Sequence, residues 1–199
     1  MNNSYAKAET LLGAMLAPLD LMRSLALAVT FSLLTALAAQ IAIPLPFTPI
    51  PLTGQVFAVL LTGALLGSRL GALAMFAYLI EGASGLPFFY GGRSGGAHLL
   101  FSPTAGYLWA YPVAAFVTGY LAERVWDRRY FWALAAMALG SLVILFGGWL
   151  GLLRFMPAAQ AFQQGVAPFI VGDIIKIALA AAVLPTGWSI LRRTGALEN

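Results

Sequence analysis

The sequence predicts an all-α, polytopic integral membrane protein whose six transmembrane helices form a compact bundle. Two observations establish the class. Of 199 residues, 61% are hydrophobic and 9% are charged, whereas a soluble domain carries about 25% charged residues. The apolar residues also fall in long runs separated by short polar, Pro-rich or Gly-rich stretches, the pattern of spans and loops. Net charge is only +4 and the basic residues sit in inter-helix loops, so topology explains them better than nucleic-acid binding does. Cysteine is absent and histidine occurs once, at His98, which excludes disulfides, thiolate chemistry and a His-rich metal site.

Residues 1–20 read as a short interfacial tail, with a brief apolar run broken by Gly13 and Pro18 and no convincing cleavage site. The bundle is assigned to 21–190 and a polar tail to 191–199. The first span, 24–43, holds twenty residues without a charge, enough to cross ~30 Å of hydrocarbon. One of its faces carries Ala28, Ser32 and Ala36 at four-residue intervals. Such a flat face lets another helix approach closely, either within the bundle or on a partner.

Four prolines in eight residues, Pro44 to Pro51, forbid a regular helix and predict an extended cap or re-entrant piece pressed against the bundle. Two short spans follow, 52–67 and 70–80, with Arg69 marking the tight turn between them. Short or interrupted spans point to a transporter's binding site. Gln55 here is either a buried amide bonded to a neighbouring helix or a ligand contact. Glu81 is either a snorkelling interfacial carboxylate or a ligand contact.

Residues 82–106 hold seven glycines, too many for a stable helix, yet keep Phe88, Phe89, Tyr90 and Arg93. Hinges, an apolar cover and a polar hook together predict a lid, against the alternative of a plain connector. Gly91-Gly92-Arg93-Ser94-Gly95-Gly96 is no phosphate-binding loop, since it lacks Gly-Lys-Ser/Thr. Spans at 99–121 and 130–153 come next, joined by a charged loop around Arg124, Arg128 and Arg129.

The last span, about 166–184, carries Asp173 and Lys176 three residues apart, hence on one helical face. A charge at that depth needs a partner. The pair is either a structural ion pair or an acceptor and donor presented together to a ligand. Placing alternate loops on alternate sides groups Lys7, Arg23, Arg69, Arg124, Arg128, Arg129, Arg192 and Arg193 against Arg93 and Arg154. Both termini are then cytoplasmic, and cap and lid face outward. Lys7 and Lys176 are the only lysines and neither sits in an ATPase motif, so ATP-driven transport needs a partner. No nucleophile–base frame supports an enzyme.

Four separated stretches, in order, carry a resemblance: Ile43-Pro44-Leu45-Pro46-Phe47-Thr48-Pro49-Ile50-Pro51-Leu52-Thr53-Gly54-Gln55, Gly85-Leu86-Pro87-Phe88-Phe89-Tyr90-Gly91-Gly92-Arg93-Ser94-Gly95-Gly96, Pro103-Thr104-Ala105-Gly106-Tyr107 and Gly172-Asp173-Ile174-Ile175-Lys176. Together they resemble the BioY family, the biotin-specific membrane subunits (S components) of energy-coupling-factor vitamin transporters. The sequence departs from that pattern at Gly54, where a larger apolar residue is expected, and at Glu81, where an uncharged one is. The resemblance implies a six-helix bundle in the lipid bilayer that binds biotin near its outer face. It implies no cofactor, and partnership with a transmembrane coupling protein and cytoplasmic ABC-type ATPases. The ligand set it suggests is Asp173 and Lys176 with Arg93, joined by Tyr90, Gln55, Glu81 and Tyr107, and Ala28, Ser32 and Ala36 become the docking face for the coupling protein. Two other readings stay open: a self-sufficient secondary transporter using Asp173 or Glu81, and a membrane scaffold whose charges merely pair.

Overall fold

In a bilayer every backbone N–H and C=O must be satisfied within the protein, so long apolar runs coil into helices. The structure, a computed structural model, describes residues 10–16 and 20–193. Residues 1–9 and 17–19 of the N-terminal tail, Lys7 among them, and 194–199 of the C-terminal tail lie outside the described residues. The described helices are α1 (Leu11–Leu16), α2 (Leu21–Gln40), α3 (Gln55–Leu66), α4 (Ser68–Ala83), α5 (Gly96–Phe101), α6 (Ala105–Ala122), α7 (Tyr130–Leu152), α8 (Ala158–Gly165) and α9 (Ala167–Arg193). Asp20 caps α2, its carboxylate accepting the Arg23 backbone N–H at 2.7 Å.

Among the described residues three stretches are long and apolar enough to cross a membrane: Leu21–Gln40, Tyr130–Leu152 and Ala158–Arg193. With 12 and 16 residues, α3 and α4 reach roughly 18 and 24 Å, short of the hydrocarbon thickness. What takes up the difference is irregular chain. The first span ends as a helix at Gln40, and the chain then forms β1 (Ala42–Ile43), which pairs antiparallel with β2 (Leu52–Thr53), Ala42 opposite Thr53. The prolines between them make the cap a strand-closed loop. Thr48 anchors its tip, donating to the Gln164 carbonyl at the end of α8, 2.7 Å away. The Gly-rich stretch is not wholly irregular, since it holds a 3₁₀ turn at Tyr90–Gly92 and the short helix α5.

Small residues line the face by which α6 packs on α3, α4 and α7 (Ala110, Ala114, Ala115, Gly119), so the helix backbones approach closely. A Cβ on Gly106 would stand 2.4 Å from the Gly147 carbonyl oxygen, which only glycine avoids. The turn between α3 and α4 belongs to Gly67, whose φ of +87° suits glycine, and not to Arg69, which lies in the first turn of α4. Glu123 caps α4 from across the bundle, accepting the Ser68 N–H at 2.6 Å and its hydroxyl at 2.8 Å.

The flat face of α2 turns inward. Ala28, Ser32 and Ala36 are buried, with Thr35 and Ala39, in the packing of α2 on α4 and α3. In this fold these side chains are not presented on the surface, contrary to a freely exposed docking face. They are small because α4 lies against them and because the Ser32 hydroxyl donates to the Glu81 carboxylate. Gly54 is explained by the same closeness, since a Cβ there would stand 2.9 Å from the Ala38 carbonyl oxygen.

At the bundle end opposite the lid, Leu11 of α1 packs with Trp188 and Leu191 of α9. The 3₁₀ turn Trp126–Arg128 joins them. Buried Asp127 accepts from the Trp188 indole N–H, and the Arg128 guanidinium lies over that indole, 4.4 Å from its centroid. The other carboxylate oxygen of Asp127 has no hydrogen-bond partner among the described residues. Burial pushes this carboxyl up to about 6 from an ordinary 3.8, against the opposing pull of Trp188 and Arg128. The folded value lies above the unfolded one, so this contribution to stability is complete below pH ~4 and is lost as pH rises through about 6. Asp127→Asn, which keeps an acceptor for Trp188 and never ionises, is expected to outlast wild type on thermal unfolding above pH 6, the gap closing towards pH 4. Parallel pH profiles for the two proteins would show that Asp127 is not buried as a carboxylate.

Candidate ligand-binding site

One cavity lies between α3, α6, α7 and α9, under the proline cap and the lid. It is partly open to the outside, a concave and mostly apolar cleft of the kind that small molecules occupy. Its walls are mostly apolar and aromatic: Ile50 and Pro51 from the cap, Phe89 and Tyr90 from the lid, Tyr107, Leu108 and Tyr111 from α6, Ile144 and Leu145 from α7, and Phe169 from α9.

Charge enters this wall from α9 alone. Asp173 is 3% exposed, and Lys176, one helical turn on, reaches back so that its Nζ donates to Oδ1 at 3.2 Å. Ser141 of α7 donates its hydroxyl to Oδ2 at 2.6 Å. A carboxylate offers about four acceptor sites and an ammonium three donors, so both groups keep bonding capacity towards the cavity. The site can therefore take a ligand that offers N–H donors and a carbonyl side by side.

On α3, the Gln55 amide donates to the Tyr78 hydroxyl at 2.6 Å and its oxygen accepts from Thr53 at 3.2 Å. Both readings of Gln55 thus meet in one residue, a buried amide bonded to the neighbouring helix that also lines the cavity. The Tyr107 hydroxyl donates to the Gly165 carbonyl at 2.5 Å, which leaves its ring as wall and takes its donor away from any ligand. That ring lies flush against α7, where a Cβ on Gly148 would stand 2.1 Å from it.

The roof is built on Phe89, fully buried between Tyr78 and His98. Tyr90 follows it into the cavity wall. Arg93 is exposed at the rim, its guanidinium 4.3 Å from the Tyr90 ring centroid and donating to that residue's hydroxyl. It does not line the cavity. His98 of α5 stacks on Phe89 and lies 3.3 Å from the Thr104 hydroxyl through Nε2. Burial, and secondly the Arg93 cation, lower its pKa, so it faces the cavity as a neutral ring at neutral pH.

Of the seven residues predicted to meet a ligand, Asp173, Lys176, Gln55, Tyr90 and Tyr107 line one cavity. Glu81 does not: it is turned to α2 and bonded to Ser32. Sequence reasoning missed Ser141, His98, Thr104 and Tyr111. Ser141 had one available signal, as a hydroxyl in the middle of an otherwise apolar span.

Comparison with known proteins places this geometry. A model of the BioY family matches residues 6–193. A probable biotin transporter BioY from Pyrococcus horikoshii is 43% identical over 161 residues, covering 81% of this chain and 93% of that protein. The biotin transporter BioY of Thermotoga maritima is 39% identical, covering 81% and 94%. Among solved structures, the S-component for biotin from an ECF-type ABC transporter superposes with a TM-score of 0.77 at 26% identity, covering 89% of this chain and 94% of that one.

Removing the α7 support tests the cluster itself. Ser141→Ala takes from a buried carboxylate a bond to a charged group, worth about 1.5–3 kcal/mol. The unfolding midpoint of the detergent-solubilised, ligand-free chain is expected to fall by several degrees, with Ser141→Thr close to wild type. An unchanged midpoint for the alanine variant would mean that Asp173 is satisfied without α7.

Proposed function

The chain belongs to the BioY family, and from that premise we propose that it is the biotin-binding membrane subunit of an energy-coupling-factor vitamin transporter. It captures biotin from the outer face, and import is driven by a coupling protein and cytoplasmic ATPases. The observation that carries this reading is the buried Asp173–Ser141–Lys176 cluster in the wall of a roofed, aromatic-lined cavity.

Biotin matches that wall group by group. Its cyclic urea has two N–H donors and one carbonyl, and its tail ends in a carboxylate. Asp173 accepts the ring N–H groups as charge-assisted bonds. Lys176 donates to the urea carbonyl. The depth of this pair puts the ring at the cavity floor, and the tail then runs out between Tyr90 and the cap. Its carboxylate reaches the rim, where Arg93 is suited to receive it. Gln55 adds a polar edge, and the Tyr107 ring supports the thiophane.

Six spans serve this role: α2, α3, α4, α6, α7 and α9. The two that are short, α3 and α4, are completed by the strand-closed cap and the lid. Topology with both termini cytoplasmic is supported by charge. Arg69, Arg124, Arg128, Arg129, Arg192 and Arg193 gather at the end where Glu123 meets Ser68 and Asp127 meets Trp188, away from the lid. The chain's residues supply binding and orientation, and hydrolysis of ATP belongs to the partners.

Equilibrium binding of radiolabelled biotin to the purified chain tests the assignment. Asp173→Asn and Lys176→Gln are each expected to lose at least ~10-fold in affinity while still inserting and purifying, since a charged hydrogen-bond partner is worth about 1.5–3 kcal/mol. Normal affinity in either variant would move the urea site elsewhere. Concentrative uptake should also vanish in cells lacking every coupling ATPase; its persistence would make the chain a self-sufficient transporter.

A further inference from the structure

A side chain outside the cavity holds its roof shut. Gln40 is the last residue of α2 and is exposed, yet both ends of its amide are engaged across a gap of about fifty residues in sequence. The two Nε2 hydrogens are shared among three carbonyls, Ala36 on its own helix at 3.0 Å, Phe89 at 3.3 Å and Pro87 at 3.4 Å. Its Oε1 accepts the Gly92 N–H at 3.1 Å. The amide thus pairs with the lid turn as a neighbouring strand would, giving a donor and taking a donor from one stretch of backbone. Gly91 and Gly92, with φ of +65° and +72°, give the turn the left-handed backbone it needs at that edge. The same turn delivers Phe89 and Tyr90 to the cavity.

The rest of α2 does not move freely against that lid. The Ser32 hydroxyl ties α2 to Glu81 of α4, three residues before the lid leaves that helix. Ser32 thus fastens α2 to α4 and Gln40 fastens it to the lid, and the Gln40 joint is one that opening must break.

We propose that Gln40 is the positioning residue of the lid: its amide latches the 87–92 turn to the end of α2 and sets how fast ligand enters and leaves. This rests on the reading of the cavity as the biotin site. Breaking the latch favours the open roof, so both association and dissociation accelerate and the affinity changes less than either rate.

The absence of cysteine allows a clean reporter, a spin label on Ser94→Cys at an exposed lid position. Without biotin, Gln40→Ala is expected to raise label mobility in the purified chain. With biotin, it should speed dissociation about tenfold, the scale of losing one or two net hydrogen bonds. Gln40→Glu separates latching from mere helix support. At neutral pH its carboxylate meets the Pro87 and Phe89 carbonyls without a proton to donate, and the lid is loose. Below pH ~4, where an exposed carboxyl gains a proton, it can donate again and mobility should return towards that of the same labelled chain with Gln40 intact at the same pH. Mobility and dissociation unchanged in the alanine variant, or a glutamate variant with no pH-dependent recovery, would overturn the latch. If the chain with Gln40 intact binds no biotin, the functional reading fails, while the ligand-free spectra still decide the latch.

Discussion

A carboxylate and an ammonium facing each other inside an apolar bundle constrain almost everything around them. Left alone at this depth, either charge would be several kcal/mol too unfavourable to keep. Asp173 is held because Lys176 follows it by one helical turn and because α7 turns Ser141 towards it. That triangle orients α9 against α7. It also prevents the space in front of it from being filled by hydrocarbon side chains, since Asp173 and Lys176 retain donors and acceptors that need a polar partner. A cavity in the packing is the physical consequence, and a ligand of matching polarity its natural occupant.

The elements that roof this cavity are made differently from those that wall it. Walls are helices brought close by small residues, as where Gly106 meets α7. The cap and lid are stretches that proline or glycine keeps largely out of long helix, and side chains fasten each to backbone: Thr48 to Gln164, Tyr78 to Phe88, Gln40 to the 87–92 turn. Fastenings of this kind add to the packing of Phe89 and can be released one at a time. Such a construction fits a subunit that must bind tightly when closed and also let its ligand go.

Much of this was legible in the residues, and what was not has physical reasons. The Asp173–Lys176 spacing, the four prolines and the glycine run are local signals whose meaning survives folding. Direction around a membrane helix is different. Both faces of α2 are apolar, one towards the bundle and one outward, so no amphipathic pattern said which side Ala28, Ser32 and Ala36 occupy. The ladder read as a partner surface is an internal one, and Glu81, read as a possible ligand contact, is the group it accommodates. Arg69 is only a neighbour of the turn, which Gly67, two residues before it, carries without charge. Ser141 acts through a partner 32 residues away, and no spacing rule connects it to Asp173 or His98 to the Phe89 ring.

The central claim is that the buried pair grips the urea ring of biotin while the tail points outward. Isotope-edited infrared difference spectroscopy of the purified chain, with biotin labelled at the urea carbonyl, reads that contact on the ligand itself. Hydrogen bonding to Lys176 should hold the labelled carbonyl band of bound biotin below its position in water-free, unbonded urea, and the Lys176→Gln protein at saturating biotin should show a smaller displacement from that reference. A band that stays where it lies in water-free, unbonded urea, or one displaced equally in both proteins, would contradict the account.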